Sequence, residues 1–268
     1  MHNGLVTYKE VQGLSKGLDM LRALNRAPFG VSTVADLARA CGLHRTTTKR
    51  LLETLCINGL VRRGDRSGQY CLTFGVRSLS EGFQEEEWVE RVATPRMRAA
   101  VPDLLWWCDL ATLAGTEMVV RESTHRWSNL AQERAMIGQR MPLLTTAVGR
   151  AYLAWAPTQE RRTLLSMIER GDDEAMRVIL GDRRGVLRML SEARRRGYSV
   201  NWGEWSLYPH ISAVGVPLIS AGRLVGAMTL GFPNNAIRPN ELAFRFVPRL
   251  ITLAQSIGKD ISSWMERD

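Results

Sequence analysis

Apolar positions in the first 75 residues repeat at helical spacing three times and then alternate at strand spacing twice. Leu18, Leu21 and Leu24 mark the apolar side of a first helix, capped by Ser15 and ended near Asn25 by Pro28 and Gly30. Ser32 or Thr33 caps a second helix that turns Val34, Leu37 and Ala38 inward and stops at Gly42. A third helix starts near His44 and runs to Asn58-Gly59. Short apolar strands follow at 60–62 and 69–72, with Asp65-Arg66-Ser67-Gly68 as the turn between them. Val76 to Phe83 keeps a helical pattern, and Gln84-Glu85-Glu86-Glu87 adds an acidic cluster. From residue 92 the character changes. Strands at 105–113, 117–122, 211–219 and 224–232 are mixed with helices at 146–156, 157–169 and 186–196, and a long amphipathic helix covers 241–264. This predicts an α+β chain with a domain over 1–75, a linking helix over 76–91 and a second domain over 92–268.

Helix, short turn, helix and hairpin is the order of a winged helix-turn-helix. Projected at about 100° per residue, the third helix turns Thr48, Leu51, Leu52 and Leu55 to one side. Thr46, Lys49, Arg50 and Glu53 fall opposite, with His44, Arg45 and Thr47 at the first turn. A helix that enters the major groove of double-stranded DNA needs donors in these places. The hairpin brings Arg62, Arg63 and Arg66 to where a wing reaches phosphate or the minor groove. The competing reading is a helical bundle with a solvated basic exterior.

Charge alone fits either reading, with a phosphate backbone as the natural partner of a basic cluster. The net charge is +9, and residues 1–85 hold 12 Lys/Arg against 7 Asp/Glu. The basic residues are almost all arginine, 32 of the 36. With 45% hydrophobic and 24% charged residues the chain is globular, which excludes disorder as its main state. No apolar run approaches the ~20 residues of a membrane helix, since 211–232 is interrupted by Pro217, Ser220 and Arg223. The N-terminus lacks the order of a signal peptide. Cys41, Cys56, Cys71 and Cys108 have neither metal-ligand nor disulfide-framework spacing. A cytoplasmic protein with reduced thiols and without metal or cofactor is expected.

A catalytic constellation is not visible. The four histidines are far apart, and no nucleophile elbow, phosphate loop or dinucleotide fingerprint occurs. Arg121, Ser123, His125 and Arg126 form either an anion-binding cluster or, by preference, a solvated loop. Trp106, Trp107, Trp127, Trp155, Trp202 and Trp205 suit a pocket for a flat ligand, although tryptophan is equally a core residue.

Several stretches resemble the IclR family of bacterial transcriptional regulators. In the first domain these are Val11 to Leu18, Leu37-Ala38, Gly42 to Thr48, Arg50 to Leu55 and Gly59-Leu60-Val61. In the second they are Arg140-Met141-Pro142-Leu143, Thr146 to Ala151 and Arg196-Gly197-Tyr198. Leu79 to Phe83 and Val120 to Arg126 are most similar to activators of 3-(3-hydroxyphenyl)propionate catabolism. The resemblance implies a GAF-like effector-binding domain after the linking helix, assembly as homodimers or homotetramers, operator DNA as partner, and RNA polymerase as a further partner of an activator. The effector it implies is a small aromatic acid. Contacts between protomers are expected from the first helix and Val76 to Phe83.

Mapped onto this chain, the family's polar pocket positions fall at Asn201 and Thr229, beside Ala213 and Gly231, whose small side chains leave room for a ring. Leu143, Met228 and Trp202 are available to pack on it. Free backbone N–H groups at Ala147 and Val148 suit the carboxylate, and Asp109 or Thr112 a ring hydroxyl. Two alternatives stay open: a repressor answering to a different small organic acid, and a DNA binder whose second domain only oligomerises.

Overall fold

Met20 and Leu24 from one helix, Leu37 from a second and Leu52 from a third close over Val61 and Tyr70 to form a small core. They belong to α1 (Gln12–Arg26), α2 (Val34–Ala40), α3 (Arg45–Ile57), β2 (Val61–Arg63) and β3 (Gln69–Leu72). A strand β1 (Val31–Thr33) pairs with β3, giving the antiparallel order β1-β3-β2. Three residues are too few to show alternation, so β1 is not legible in the pattern. Thr33 caps α2: its Oγ1 accepts the Asp36 N–H at 3.2 Å and donates to Asp36 Oδ2 at 2.7 Å. A cap of this kind contributes about 0.5–2 kcal/mol. The first helix begins at Gln12, ahead of the expected cap at Ser15.

The computed structural model describes residues 10–79, 87–128, 130 and 136–266. A short helix α4 (Gly75–Ser78) follows the wing. Of the expected linking helix over 76–91, residues 80–86 lie outside the described residues. The described residues fall into two compact units, 10–79 in the first and 87–128, 130 and 136–266 in the second.

The second unit is built on a six-stranded antiparallel sheet in the order β6-β5-β4-β9-β8-β7. Its strands are β4 (Trp107–Ala114), β5 (Glu117–Ser123), β6 (Arg140–Pro142), β7 (Ser199–Trp202), β8 (Ile211–Ser220) and β9 (Arg223–Pro233). The sheet is buried on both faces, and alternation divides its side chains between two cores. One face carries Leu110, Val214, Met228, Leu230 and Phe232 against α5 (Thr94–Leu104) and the C-terminal helix α11 (Val247–Met265). The five-residue turns Val89–Ala93 and Leu242–Phe246, both π-helical, lead into these two helices, with α10 (Pro239–Glu241) before the latter. The other face carries Ala111 and Ala227 against α6 (Ala147–Trp155), α7 (Thr158–Arg170), α8 (Glu174–Gly181) and α9 (Arg183–Arg196). No described helix is long and apolar enough to cross a membrane.

Candidate nucleic-acid interface and effector site

In the first unit, Thr48 and Leu52 are fully buried, while His44, Arg45, Thr46, Lys49 and Arg50 stand exposed on α3 and Thr47 is half-buried. His44 caps the helix, its Nδ1 accepting the Thr46 N–H at 3.3 Å. That nitrogen is committed to the cap. Arg62 and Arg66 are exposed on the hairpin.

Glu53 departs from expectation. Glu53 does not join Lys49 on the outer face. It accepts from Arg63 Nη2 at 2.9 Å and Nε at 3.3 Å, and from the Tyr70 hydroxyl at 2.7 Å. This straps α3 to the base of the wing through Arg63, whose side chain stays 73% exposed. The bonds from Arg63 and Tyr70 hold the Glu53 carboxyl below its ordinary range. The strap's contribution is therefore full above the unfolded carboxyl's pKa of about 4.3 and is lost as pH falls through the lower folded value. Burial and the Glu53 bond push the Tyr70 phenol up to about 12, so its contribution is full below the unfolded phenol's pKa of about 10 and is lost as pH rises through the folded value. Two variants separate the wing arginines. Arg66→Ala is expected to lower the salt slope of DNA binding by about one unit. Arg63→Ala is expected to lower the melting temperature without that change in slope, and an equal slope change in both variants contradicts the strap.

In the second unit, register brings most of the expected effector residues onto the face that packs against α6. Trp107, Gly231, Ala213 and Asn201 form one cross-strand row, and Ser123, Asp109, Thr229, Gly215 and Ser199 form the next. The start of α6 rests on this face. The Ser199 hydroxyl donates to the Ala147 carbonyl at 2.5 Å, and a Cβ on Gly215 would lie 2.3 Å from that same oxygen. Thr146 caps α6, accepting the Gly149 N–H at 3.1 Å and donating to the Pro142 carbonyl at 2.7 Å. The N–H groups of Ala147 and Val148 are left without intrahelical partners, as at any helix start. Asn201 Nδ2 donates to the Thr145 carbonyl, and its Oδ1 accepts from the Gly203 and Glu204 N–H groups at 2.8 and 3.1 Å. Thr145 Oγ1 is buried without a hydrogen-bond partner among the described residues.

Residues 13–65 match the IclR helix-turn-helix domain, and residues 86–259 match the bacterial transcriptional regulator IclR C-terminal domain. The chain belongs to the IclR family. Its relatives include the HTH-type transcriptional repressor AllR of Escherichia coli K12, 26% identical over 264 residues that cover 96% of this chain and 92% of that one. An IclR family regulator from Brucella abortus superposes with a TM-score of 0.57 at 27% identity, covering 94% of this chain and 93% of its own. An IclR homologue from Microbacterium hydrocarbonoxydans, complexed with 4-hydroxybenzoate, shares the fold at a TM-score of 0.58 and 22% identity, over 94% and 99% of the two chains. This is a DNA-binding transcriptional regulator with an effector-binding domain, and not an enzyme.

Not every expected effector residue joins the cluster. Met228 and Trp202 follow the opposite alternation: Met228 is buried with Leu230 on the α11 side, and Trp202 lies edge-on to Phe232 at 6.2 Å. Neither can pack on a ring held beneath α6. The room at Gly231 is already taken, because a Cβ there would stand 2.2 Å from Trp107 Nε1. Leu143, Ala147 and Val148 are buried on the α6 side as expected. Thr229 donates to the Val214 carbonyl at 2.9 Å. Thr112 alternates away from Asp109 and accepts from Arg121 Nε at 2.7 Å.

Arg150 is the residue that pattern reading left without a role. Buried inside an apolar helix, it donates to the Leu144 and Val200 carbonyls at 2.7 Å each and to Glu204 at 3.1 Å. It thereby holds the segment before α6 and the loop after β7. A lone arginine among Ala, Val, Leu and Trp was its signal in the sequence. Among the described residues no cluster of His, Cys, Asp and Glu is placed to hold a metal ion.

Proposed function

We propose that the second unit binds a small aromatic acid, such as 3-(3-hydroxyphenyl)propionate, and that its occupancy makes the protein an activator of aromatic-catabolic genes. The observation that carries this is the unpartnered Thr145 hydroxyl, more than nine-tenths buried beside Asn201 at the start of α6. A buried polar group without a partner costs about 1–3 kcal/mol. A carboxylate bonded to that hydroxyl and to the free N–H groups of α6 removes the cost and meets the positive end of the helix dipole. Trp107 supplies a flat wall on the same face. The Microbacterium homologue shows that a chain of this fold accommodates an aromatic acid. Activation rests on the resemblance of Leu79 to Phe83 and Val120 to Arg126. Repression is the second reading, since the Escherichia coli relative is a repressor.

Calorimetry with 3-(3-hydroxyphenyl)propionate, 3-phenylpropionate and glyoxylate tests the effector class. The aromatic acids are expected to bind, and Thr145→Val to weaken them by about tenfold. Binding of glyoxylate but of neither aromatic acid defeats the proposal. A reporter fused to the controlled promoter separates activation from repression by the sign of the change on deleting the gene.

We also propose a homodimer or homotetramer on two operator half-sites, with RNA polymerase as the partner of the activating form. Val11, Leu14 and Leu18 on and beside α1, together with Phe74 and Leu79, are exposed apolar side chains suited to contacts between protomers.

A further inference from the structure

The second unit buries another polar group, on the same sheet face, that the carboxylate site does not use. Asp109 and His125 are 2% and 3% exposed. The Ser123 hydroxyl donates to Asp109 Oδ1 at 2.6 Å, and His125 Nε2 stands 3.6 Å from that oxygen. The Trp107 ring lies against His125, centroids 5.1 Å apart. Burial raises the Asp109 carboxyl's pKa, opposed by His125 and by the Ser123 bond. A carboxyl kept in such surroundings is expensive for stability alone.

Its position gives the group a purpose. Ser123, Asp109, Thr229, Gly215 and Ser199 lie in one register row, and the Ala147 carbonyl rests on Gly215 and Ser199. The start of α6 and Asp109 are thus two strands apart, about 10 Å between backbones at ordinary spacing, with Thr229 between them and Trp107 in the adjoining row.

We infer that Asp109, set by Ser123 and His125, accepts a hydrogen bond from a hydroxyl on the effector's ring and so distinguishes hydroxylated from unhydroxylated aromatic acids. This rests on the reading that the carboxylate lies at the start of α6. The ligand then runs from the helix across Thr229, with its ring beside Trp107 and its hydroxyl at Asp109. A hydroxyl donating to a carboxylate makes a charge-assisted bond. An acid lacking the hydroxyl sets a hydrocarbon edge against this buried carboxylate and offers it no bond, and sites built to bond a hydroxyl reject such analogues strongly.

Calorimetry with 3-(3-hydroxyphenyl)propionate and 3-phenylpropionate on the wild type and Asp109→Leu tests this. The wild type is expected to favour the hydroxylated acid by about tenfold or more. Asp109→Leu is expected to lose that preference while keeping its affinity for 3-phenylpropionate within about threefold. If circular dichroism shows that Asp109→Leu does not fold, Asp109→Asn takes its place, with the preference expected to fall by about threefold or more. Equal affinity of the wild type for both acids, or an undiminished preference in the folded variant, overturns the subsite and leaves the effector reading standing. A wild type that binds neither acid overturns that reading and the subsite with it.

Discussion

Replacing Lys49 and Arg50 together by alanine is expected to cost the protein its preference for operator over random DNA, by about thirtyfold or more. Each contact that discriminates a base is worth roughly 1–3 kcal/mol, and both side chains are exposed on α3, opposite the buried Thr48 and Leu52. Neither takes part in the strap that holds Arg63, so their loss leaves the fold of the first unit intact. Fluorescence anisotropy with operator and scrambled duplexes, at two salt concentrations, measures the effect. A variant that still prefers operator as the wild type does shows that α3 is not the reading helix.

Gly215→Ala is expected to abolish effector binding and to destabilise the second unit by about 1–3 kcal/mol, the usual cost of overpacking. The added Cβ would lie 2.3 Å from the Ala147 carbonyl oxygen and 2.7 Å from Ser199 Oγ. Backbone cannot yield as the far end of a flexible side chain can, so α6 must lift off the sheet. Its first N–H groups, the Thr145 hydroxyl and Asn201 then lose their common geometry. DNA binding by α3 is expected to persist in this variant. Calorimetry and thermal unfolding check both parts, and wild-type affinity for the aromatic acid in Gly215→Ala contradicts the placement of the site.

The first unit was largely legible because its helices are amphipathic and its turns carry their own residue types. Thr48 and Leu52 fell on the buried side, and Gly42 took the positive φ expected after α2. Glu53 was misplaced because a helical projection sees one element at a time, and its partners Arg63 and Tyr70 come from the hairpin. In the second unit α5 escaped notice because Pro95 and Pro102 obscure its pattern, although Pro95 sits in the first turn and Pro102 near the end. Adjacent residues of a strand face opposite ways. Thr229 and Met228 could therefore not share a pocket, nor could Asn201 and Trp202, and that much was available without a structure. His125, expected in a solvated loop, is buried against Trp107. A loop's burial depends on what packs over it, which local sequence does not carry.

That an aromatic acid in the second unit changes how the first unit holds DNA is tested most directly by titrating labelled operator with the protein, with and without saturating 3-(3-hydroxyphenyl)propionate. Coupling of the usual 1–3 kcal/mol predicts a shift in operator affinity of about fivefold or more. In Thr145→Val the same shift should require about tenfold more acid. Superimposable titrations, obtained while calorimetry shows the acid bound, would contradict the account.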